Sequence, residues 1–291
     1  MTKANSPIRG VADTARWVAL YRALETERPD AVFSDPWARR LAGTRGEAIL
    51  ASVPASARKA VWAFVARTYN FDHFIQDQIR SGITQVVNLA AGLDTRPYRL
   101  ALPSSLRWVE VDQPELLAEK TAAMSGIEPV CELQRIPLDL GDVTGRRELF
   151  RRLNGEGRNT LIVTEGLLIY LSETQVESLA TDLAAYPHFR SWVTDLGSPA
   201  LLRLLQKEWG GALREAGAPL QFAPEAGPGF FMPFGWEAAE VRGALPTARE
   251  LNRLPLLLRI LSRLPGSGTF HPRRPWSGAC LLIRGAAPSH P

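Results

Sequence analysis

Four carboxylates stand just past four short β-favouring runs: Asp94, Asp112, Asp139 and Glu165. The runs are 86–89, 107–111, 133–138 and 160–164. The first lies in the stretch QVVNLAAGLDTRPYRL (85–100), where the small-residue turn Ala90-Ala91-Gly92-Leu93 leads into Asp94, with Arg96 and Arg99 behind it. In an open parallel sheet, ligands bind outside the carboxyl ends of the strands, near the point where strand order reverses. Acids at every strand end would line that crevice and make it negative, which suits a cationic ligand.

A phosphate-bearing dinucleotide is disfavoured. Its loop needs G-x-G-x-x-G so that amides and a helix N-terminus can hold the pyrophosphate. The equivalent positions here are Ala90, Gly92 and Thr95, and Asp94 would face the phosphates with like charge. The pattern G-x-x-x-x-G-K-[ST] does not occur, which excludes a P-loop. S-adenosylmethionine fits better. It has no phosphate, but it has a sulfonium, an ammonium, a carboxylate, a ribose diol and an adenine. The Ala90–Gly92 loop would let its methionyl part lie against backbone. Asp112, 20 residues past Gly92, has close to the spacing of a ribose acid. A third acid can take the adenine amino group and a fourth the ammonium. Capping of a following helix is the competing reading of a strand-end acid. It stays open for Asp112, ahead of Pro114, and for Asp139 and Asp142.

These residues must be held by alternating elements. Residues 1–80 read as helical. A helix over 12–24 opens near Asp13. "SDPWARRLAG" is a short helix opened by Ser34 or Asp35, with Pro36 at its first position and Gly43 at its end. Val61, Phe64, Val65, Thr68, Phe71, Ile75 and Ile79 recur every three or four residues, one face of an amphipathic helix over 58–79. The strands named above then alternate with helices over 114–124 and 144–153. "SETQ" (172–175) has the capping-box form and opens a helix through 185. A fifth strand follows at 191–194. This order implies a parallel sheet with helices on both faces.

Residues 198–272 break the rhythm. The pattern predicts a helix over 199–216, a Gly/Pro-rich segment, a short helix around 236–245 and an apolar stretch around 254–264. A late strand at 278–284 follows, and 286–291 are expected to fray. Phe222, Phe230, Phe231, Phe234 and Trp236 read either as a lid over a partly apolar acceptor or as plain core. The division expected is an N-terminal helical cap (1–80), an α/β core (81–197 and 273–286) and an inserted lid (198–272).

Bulk properties narrow the classes. Apolar residues make up 45% of the 291, an ordinary value for a soluble globular chain, and no apolar run reaches the length of a membrane span. A membrane partner is therefore not expected. The formal charge of +4 comes from arginine, since Lys3, Lys59, Lys120 and Lys207 are the only lysines. The arginines are scattered in pairs and form no block, which disfavours nucleic acid. Cys131 and Cys280 lack metal-ligand spacing, and MTKANSPIRG has no apolar secretory core. No metal, and a reduced cytoplasmic setting, are expected.

"VVNLAAGLDTRPYRL", "WVEVDQPELLAEK", "PLDLGD" and "EGLLIYLSETQV" resemble the motifs of the leucine carboxyl methyltransferase family, a branch of the class I S-adenosylmethionine-dependent methyltransferases. "DTARWVALYRALE" and "FSDPWARRLAG" look like its bacterial members, which include polyketide O-methyltransferases of the tetracenomycin type. The resemblance covers roughly residues 10–200. It implies a Rossmann-like α/β fold with a mostly parallel seven-stranded sheet, and S-adenosylmethionine as cofactor. It implies that Arg67 meets the cofactor carboxylate, Asp112 the ribose, Asp139 with Leu140 the adenine, and Glu165 the ammonium. The family's loop normally reads G-A-G; here Ala90 takes the first glycine's place.

Methyl transfer is an in-line displacement that needs an aligned acceptor and excluded water. The acceptor expected is a carboxylate or hydroxyl of a small molecule. Tyr170, just past Glu165, is the candidate catalytic residue; capping the sheet edge is its other reading. Asp195 and His271 are further acceptor-side candidates, with helix capping and solvent exposure as their alternatives. A protein or tRNA carboxyl methyltransferase, an NAD-dependent oxidoreductase and a non-catalytic methyltransferase-like binding protein are the competing functions. The degraded glycine motif and Asp94 speak against the second, and the retained strand-end acids against the third.

Overall fold

The computed structural model describes residues 10–52, 58, 60–263, 266 and 268–285. Its centre is a seven-stranded sheet in the order β3-β2-β1-β4-β5-β7-β6. The strands are β1 (Gln85–Leu89), β2 (Arg107–Asp112), β3 (Glu132–Pro137), β4 (Thr160–Thr164), β5 (Phe189–Gly197), β6 (Trp236–Gly243) and β7 (Ser277–Arg284). The first five run parallel; β7 is antiparallel to both β5 and β6. β1 and β4 are buried along their whole length, as continuous apolar runs must be when both faces are covered. They are also the pair at which strand order reverses, so the crevice opens above Leu89 and Thr164.

The helices are α1 (Val11–Thr26), α2 (Ala38–Ser52), α3 (Val61–Arg80), α4 (Arg96–Arg99), α5 (Pro114–Ala123), α6 (Val143–Gly155), α7 (Glu173–Ala184), α8 (Pro199–Glu215), α9 (Ala244–Glu250) and α10 (Leu256–Leu261). Phe71, Phe74 and Ile75 of α3 cover one face of the sheet against Val86, Trp108 and Val193. Phe150 and Leu153 of α6 and Val176, Leu179 and Leu183 of α7 cover the other, against Val87, Val109 and Ile162. The Ser172–Gln175 capping box is formed as the sequence predicts. α2 breaks at Gly43, whose φ of 57° lies in the left-handed region where glycine has no steric cost. The expected fraying of 286–291 falls outside the described residues.

Two local expectations are corrected. Residues 236–243, read as a helix, form β6, paired with β7 through a bulge at Ala238–Glu240. Trp236-Glu-Ala-Ala-Glu has good helix formers, but propensity is a weak prior against a ladder of strand hydrogen bonds and a buried tryptophan. The segment 198–272 therefore supplies the sheet's edge strand. Second, the Asp35 carboxyl does not cap α2; it is buried against Arg22 and Thr95.

The aromatics of that segment divide between the two readings in favour of core. Phe222, Phe231 and Trp236 are buried among the residues of the α6/α7 face. Trp192 meets Phe231 and Trp236 edge-on at 5.0 and 5.7 Å, and the Trp236 indole donates to the Ala180 carbonyl at 3.0 Å. Trp236→Ala should cost about 3–5 kcal/mol, the usual loss for a buried tryptophan. A urea titration of wild type and variant checks this, and a loss below about 1 kcal/mol would mean that this segment is not packed on the sheet.

Candidate active site

Above the β1/β4 switch point lies a continuous chain of buried and half-buried charges. Arg96, at the start of α4, is its hub. Its Nε reaches Asp72 Oδ1 at 2.6 Å, and its Nη1 reaches Asp94 Oδ2 at 2.9 Å and Glu165 Oε2 at 2.7 Å. Its amide also donates to Asp94 Oδ1 at 2.9 Å. Arg99, one helical turn on, grips Asp72 with both terminal nitrogens at 2.7 and 2.8 Å. Arg22 and the Thr95 hydroxyl close on Asp35 at 2.8 and 2.7 Å. At the other end, Arg67 Nε donates to Glu165 at 3.0 Å and its Nη1 lies 3.3 Å from Asp195. Asn88 adds a 2.8 Å bond to Asp94. The chain ties α1, α3, the β1 loop and the ends of β4 and β5 to one another.

This modifies the picture of a bare acidic crevice. Asp94 and Glu165 are neutralised by arginines of the same chain. Burial alone would push the Asp94 carboxyl up; Arg96, with Lys120, Arg99 and the Arg96 amide, outweighs it and holds it at about 2. Burial is likewise outweighed at Glu165, by Arg96 and then Arg67, and its carboxyl stays below the ordinary range. Asp195 goes the other way: burial raises it, offset only in part by Arg67 and by the Gly166 amide, which donates at 2.6 Å. Asp195 lies inside β5 and does not cap α8; the Ser198 hydroxyl takes that place by accepting from the Leu201 amide.

Asp112 differs from the other buried acids. It stands at the carboxyl end of β2 and makes no ion pair among the described residues. The Gly92 amide donates to one oxygen at 2.6 Å and the Gln113 amide to the other at 2.7 Å. Burial raises its carboxyl, opposed only by those two amides and by Lys120. A carboxylate has about four lone-pair sites, so two remain for a ligand. The loop facing it is left-handed at both Ala90 (φ 57°) and Gly92 (φ 50°). For Gly92 that is free; for Ala90 it costs about 1–2 kcal/mol. The glycine usual in the family at this position is thus the residue the backbone asks for. Beneath Asp112, the fully buried pair Glu110–Lys120 (2.8 Å) fastens β2 to α5.

The remaining candidates fall in two groups. Asp139 and Leu140 follow β3, beside the end of β2, where the Leu138 amide bonds the Asp112 carbonyl. Asp139 is exposed and accepts from the Gly141 amide; Asp142 is the cap of α6. Tyr170 ends a 3₁₀ turn (Leu168–Tyr170) directly after Glu165 and is half-buried. Its phenol shares a hydrogen bond with Thr14 of α1 and feels both Arg67 and Asp195, yet burial dominates and raises it. Trp17, Ile49, Leu202, Leu205, Leu213 and Leu220 form an apolar cluster around it, drawn from α1, α2, α8 and the loop after α8. His271 is exposed and accepts the Arg273 amide in a turn, apart from this constellation. Sequence reasoning passed over Asp72, Arg22 and the pairing of Arg96 and Arg99. Their only signal was an unusual density of charge in segments that otherwise read as buried.

Comparison with known proteins identifies the class. Residues 15–184 match the leucine carboxyl methyltransferase family. The chain belongs to that family. A protein of Mycobacteroides abscessus, provisionally named an S-adenosyl-L-methionine-dependent methyltransferase, is 38% identical over 181 residues, 59% of this chain and 58% of that one. The match thus spans less than two thirds of that relative. Two solved structures share the fold. A DUF574-family protein of Streptomyces avermitilis is 13% identical with a TM-score of 0.59, covering 93% of this chain and 97% of its own. A Thermobifida fusca protein provisionally called a methyltransferase is 14% identical with a TM-score of 0.58, covering 97% of each chain.

The depressed carboxyl of Asp94 makes the fold acid-sensitive. A group whose folded value lies below its unfolded one, about 3.9, stabilises above that value and ceases to do so as pH falls through the folded one. The Asp94 contribution, on the order of 2 kcal/mol, should vanish between pH values of about 4 and 2. Asp35 and Glu165, also held low, act in the same sense. Urea midpoints measured down this range should fall more steeply for wild type than for Asp94→Asn; parallel curves would contradict the pairing.

Proposed function

We propose that the chain is an S-adenosylmethionine-dependent O-methyltransferase acting on a carboxylate or hydroxyl of a small, partly apolar molecule of the polyketide type, in a cytoplasmic setting. The observation that carries the reading is Asp112: a buried carboxylate that makes no ion pair among the described residues, facing a left-handed small-residue loop, in a chain of this family. When bound, S-adenosylmethionine supplies a methyl group activated on a sulfonium. Asp112 would accept the ribose hydroxyls, Asp139 and Leu140 would hold the adenine, and the Ala90 and Gly92 backbone would lie along the methionyl part.

The Arg67–Glu165 pair supports the same reading. The cofactor's amino-acid end carries one carboxylate and one ammonium. Exchange of the internal pair for Arg67 with the carboxylate and Glu165 with the ammonium leaves the buried charge unchanged, so no ion is stranded. The residues therefore fit the cofactor.

The acceptor would enter beside Tyr170, framed by α1, α2 and α3 as cap and by described parts of 198–272 as lid over the sheet core. The raised phenol of Tyr170 stays protonated at neutral pH, so its role is to donate a hydrogen bond that orients the acceptor, not to remove a proton. A carboxylate acceptor needs no base. The apolar cluster about Tyr170 supports a small, partly apolar acceptor over a protein or RNA, since α1, α2 and α8 close around it and leave its members buried or partly buried.

Calorimetric titration with S-adenosylhomocysteine tests the cofactor site. Wild type should bind it and ignore NADH, and Asp112→Asn should lose about 10- to 100-fold in affinity, the worth of charged hydrogen bonds to the ribose. Equal binding by both would remove Asp112 from the site. Tyr170→Phe, assayed by transfer of labelled methyl to a panel of aromatic acids and phenols, should lose about tenfold or more in kcat with the cofactor Kd unchanged. Unaltered turnover would remove Tyr170.

A further inference from the structure

We propose that α10 docks the protein on the surface of an anionic lipid bilayer. Leu256, Leu257, Ile260 and Leu261 are 75, 68, 57 and 44% exposed. Spaced i, i+1, i+4 and i+5, they occupy one face of the helix, flanked by Leu258, which is half-buried, on one side and Arg259 on the other. Four large aliphatic side chains turned together into water are a patch, which marks an interaction site where scattered leucines do not.

The patch is held out by the fold. Arg253, just before α10, is clamped on Glu25 at 2.8 Å, and Arg249 donates to the Ser262 carbonyl at 2.8 Å just after it. Leu254 packs against Ala66, Ala244 and Ala248. A segment anchored at both ends presents its apolar face from a fixed position.

Charge decides the partner. Arg259 and Arg263 border the patch, both exposed and without an ion-pair partner among the described residues. From residue 251 to 291 the sequence has six arginines and no aspartate or glutamate. Leucines flanked by arginines, with Glu250, six residues before Leu256, as the nearest acid in sequence, match an interface in which aliphatic chains enter the acyl boundary and guanidinium groups meet lipid phosphates. A membrane partner was not expected from the sequence because no span is present, and no helix among the described residues is long and apolar enough to cross a membrane. Lying on a surface does not require one.

Flotation of the whole protein with vesicles tests this. It should float with phosphatidylcholine vesicles containing about 30% phosphatidylglycerol and not with phosphatidylcholine alone. L256E/I260E should bind at least tenfold more weakly. R259Q/R263Q should bind about 25-fold more weakly at low salt, at about fivefold per arginine. Raising salt from about 0.1 M to about 0.5 M should weaken wild type in the same way. Circular dichroism confirms that these exposed substitutions leave the fold intact. The proposal is overturned if wild type does not float with the anionic vesicles, if it floats equally with both kinds, or if L256E/I260E floats like wild type. It is overturned in favour of a second copy of the chain if wild type instead forms a dimer in sedimentation that L256E/I260E dissolves.

Discussion

The Arg96 guanidinium, buried with carboxylates from three different elements around it, is the constraint from which the rest of the site follows. Asp72 belongs to α3, Asp94 to the β1 loop and Glu165 to the end of β4. Each would be costly to bury alone. Together with Arg67, Arg99 and Arg22 they form a lattice in which nearly every charge is matched and hydrogen-bonded, the condition under which buried ions are tolerated. Loss of one partner from such a set typically costs 3–5 kcal/mol, because it strands the others. A planar fork can meet several carboxylates at once where an ammonium cannot, which accounts for arginine at every cationic point of the chain.

That lattice also sets what remains available for chemistry. Asp94 and Glu165 are spoken for, so the crevice is less negative than four bare acids would make it. Asp112 keeps unused lone pairs at the mouth of the crevice, with two amides to aim it and the Glu110–Lys120 pair beneath to hold its strand and helix together. The strain at Ala90 points to the same place. A non-glycine residue held left-handed persists only where its surroundings impose it. Here the β1 turn is fastened on both sides, by the Gly92 amide on Asp112 and by the Leu93 carbonyl on Arg22 at 2.5 Å.

The apolar frame around the site is assembled from distant parts of the chain. Leu20 of α1 and Leu41 of α2 pack on Leu93 and Leu116, which covers the β1 loop and α5. Residues from α1, α2 and α8 then meet at Tyr170. Closure of this region against water thus depends on helices before the sheet and on the segment that runs between the antiparallel neighbours β5 and β7. The expectation of a lid made of phenylalanines was half-answered by packing: Phe231 and Trp236 went to the core because their area is worth more there than over a crevice.

By itself, the sequence determined the succession of strands and helices from β1 to α7, the parallel core, the capping box at Ser172 and the position of acids at strand ends. These are local matters: a buried central strand must be continuously apolar, and a residue just past it must fall at the sheet's edge. The tertiary structure decided which charges meet. Asp35 looked like a helix cap, and nothing in the sequence around Arg67 named Glu165 as its partner, since sequence spacing carries no record of a partner 60 or 98 residues away. It also decided β6, where helix-forming residues were drawn into a strand. Pairing with β7 and burial of Trp236 are non-local rewards, and they outweigh a local preference worth a few tenths of a kcal/mol per residue.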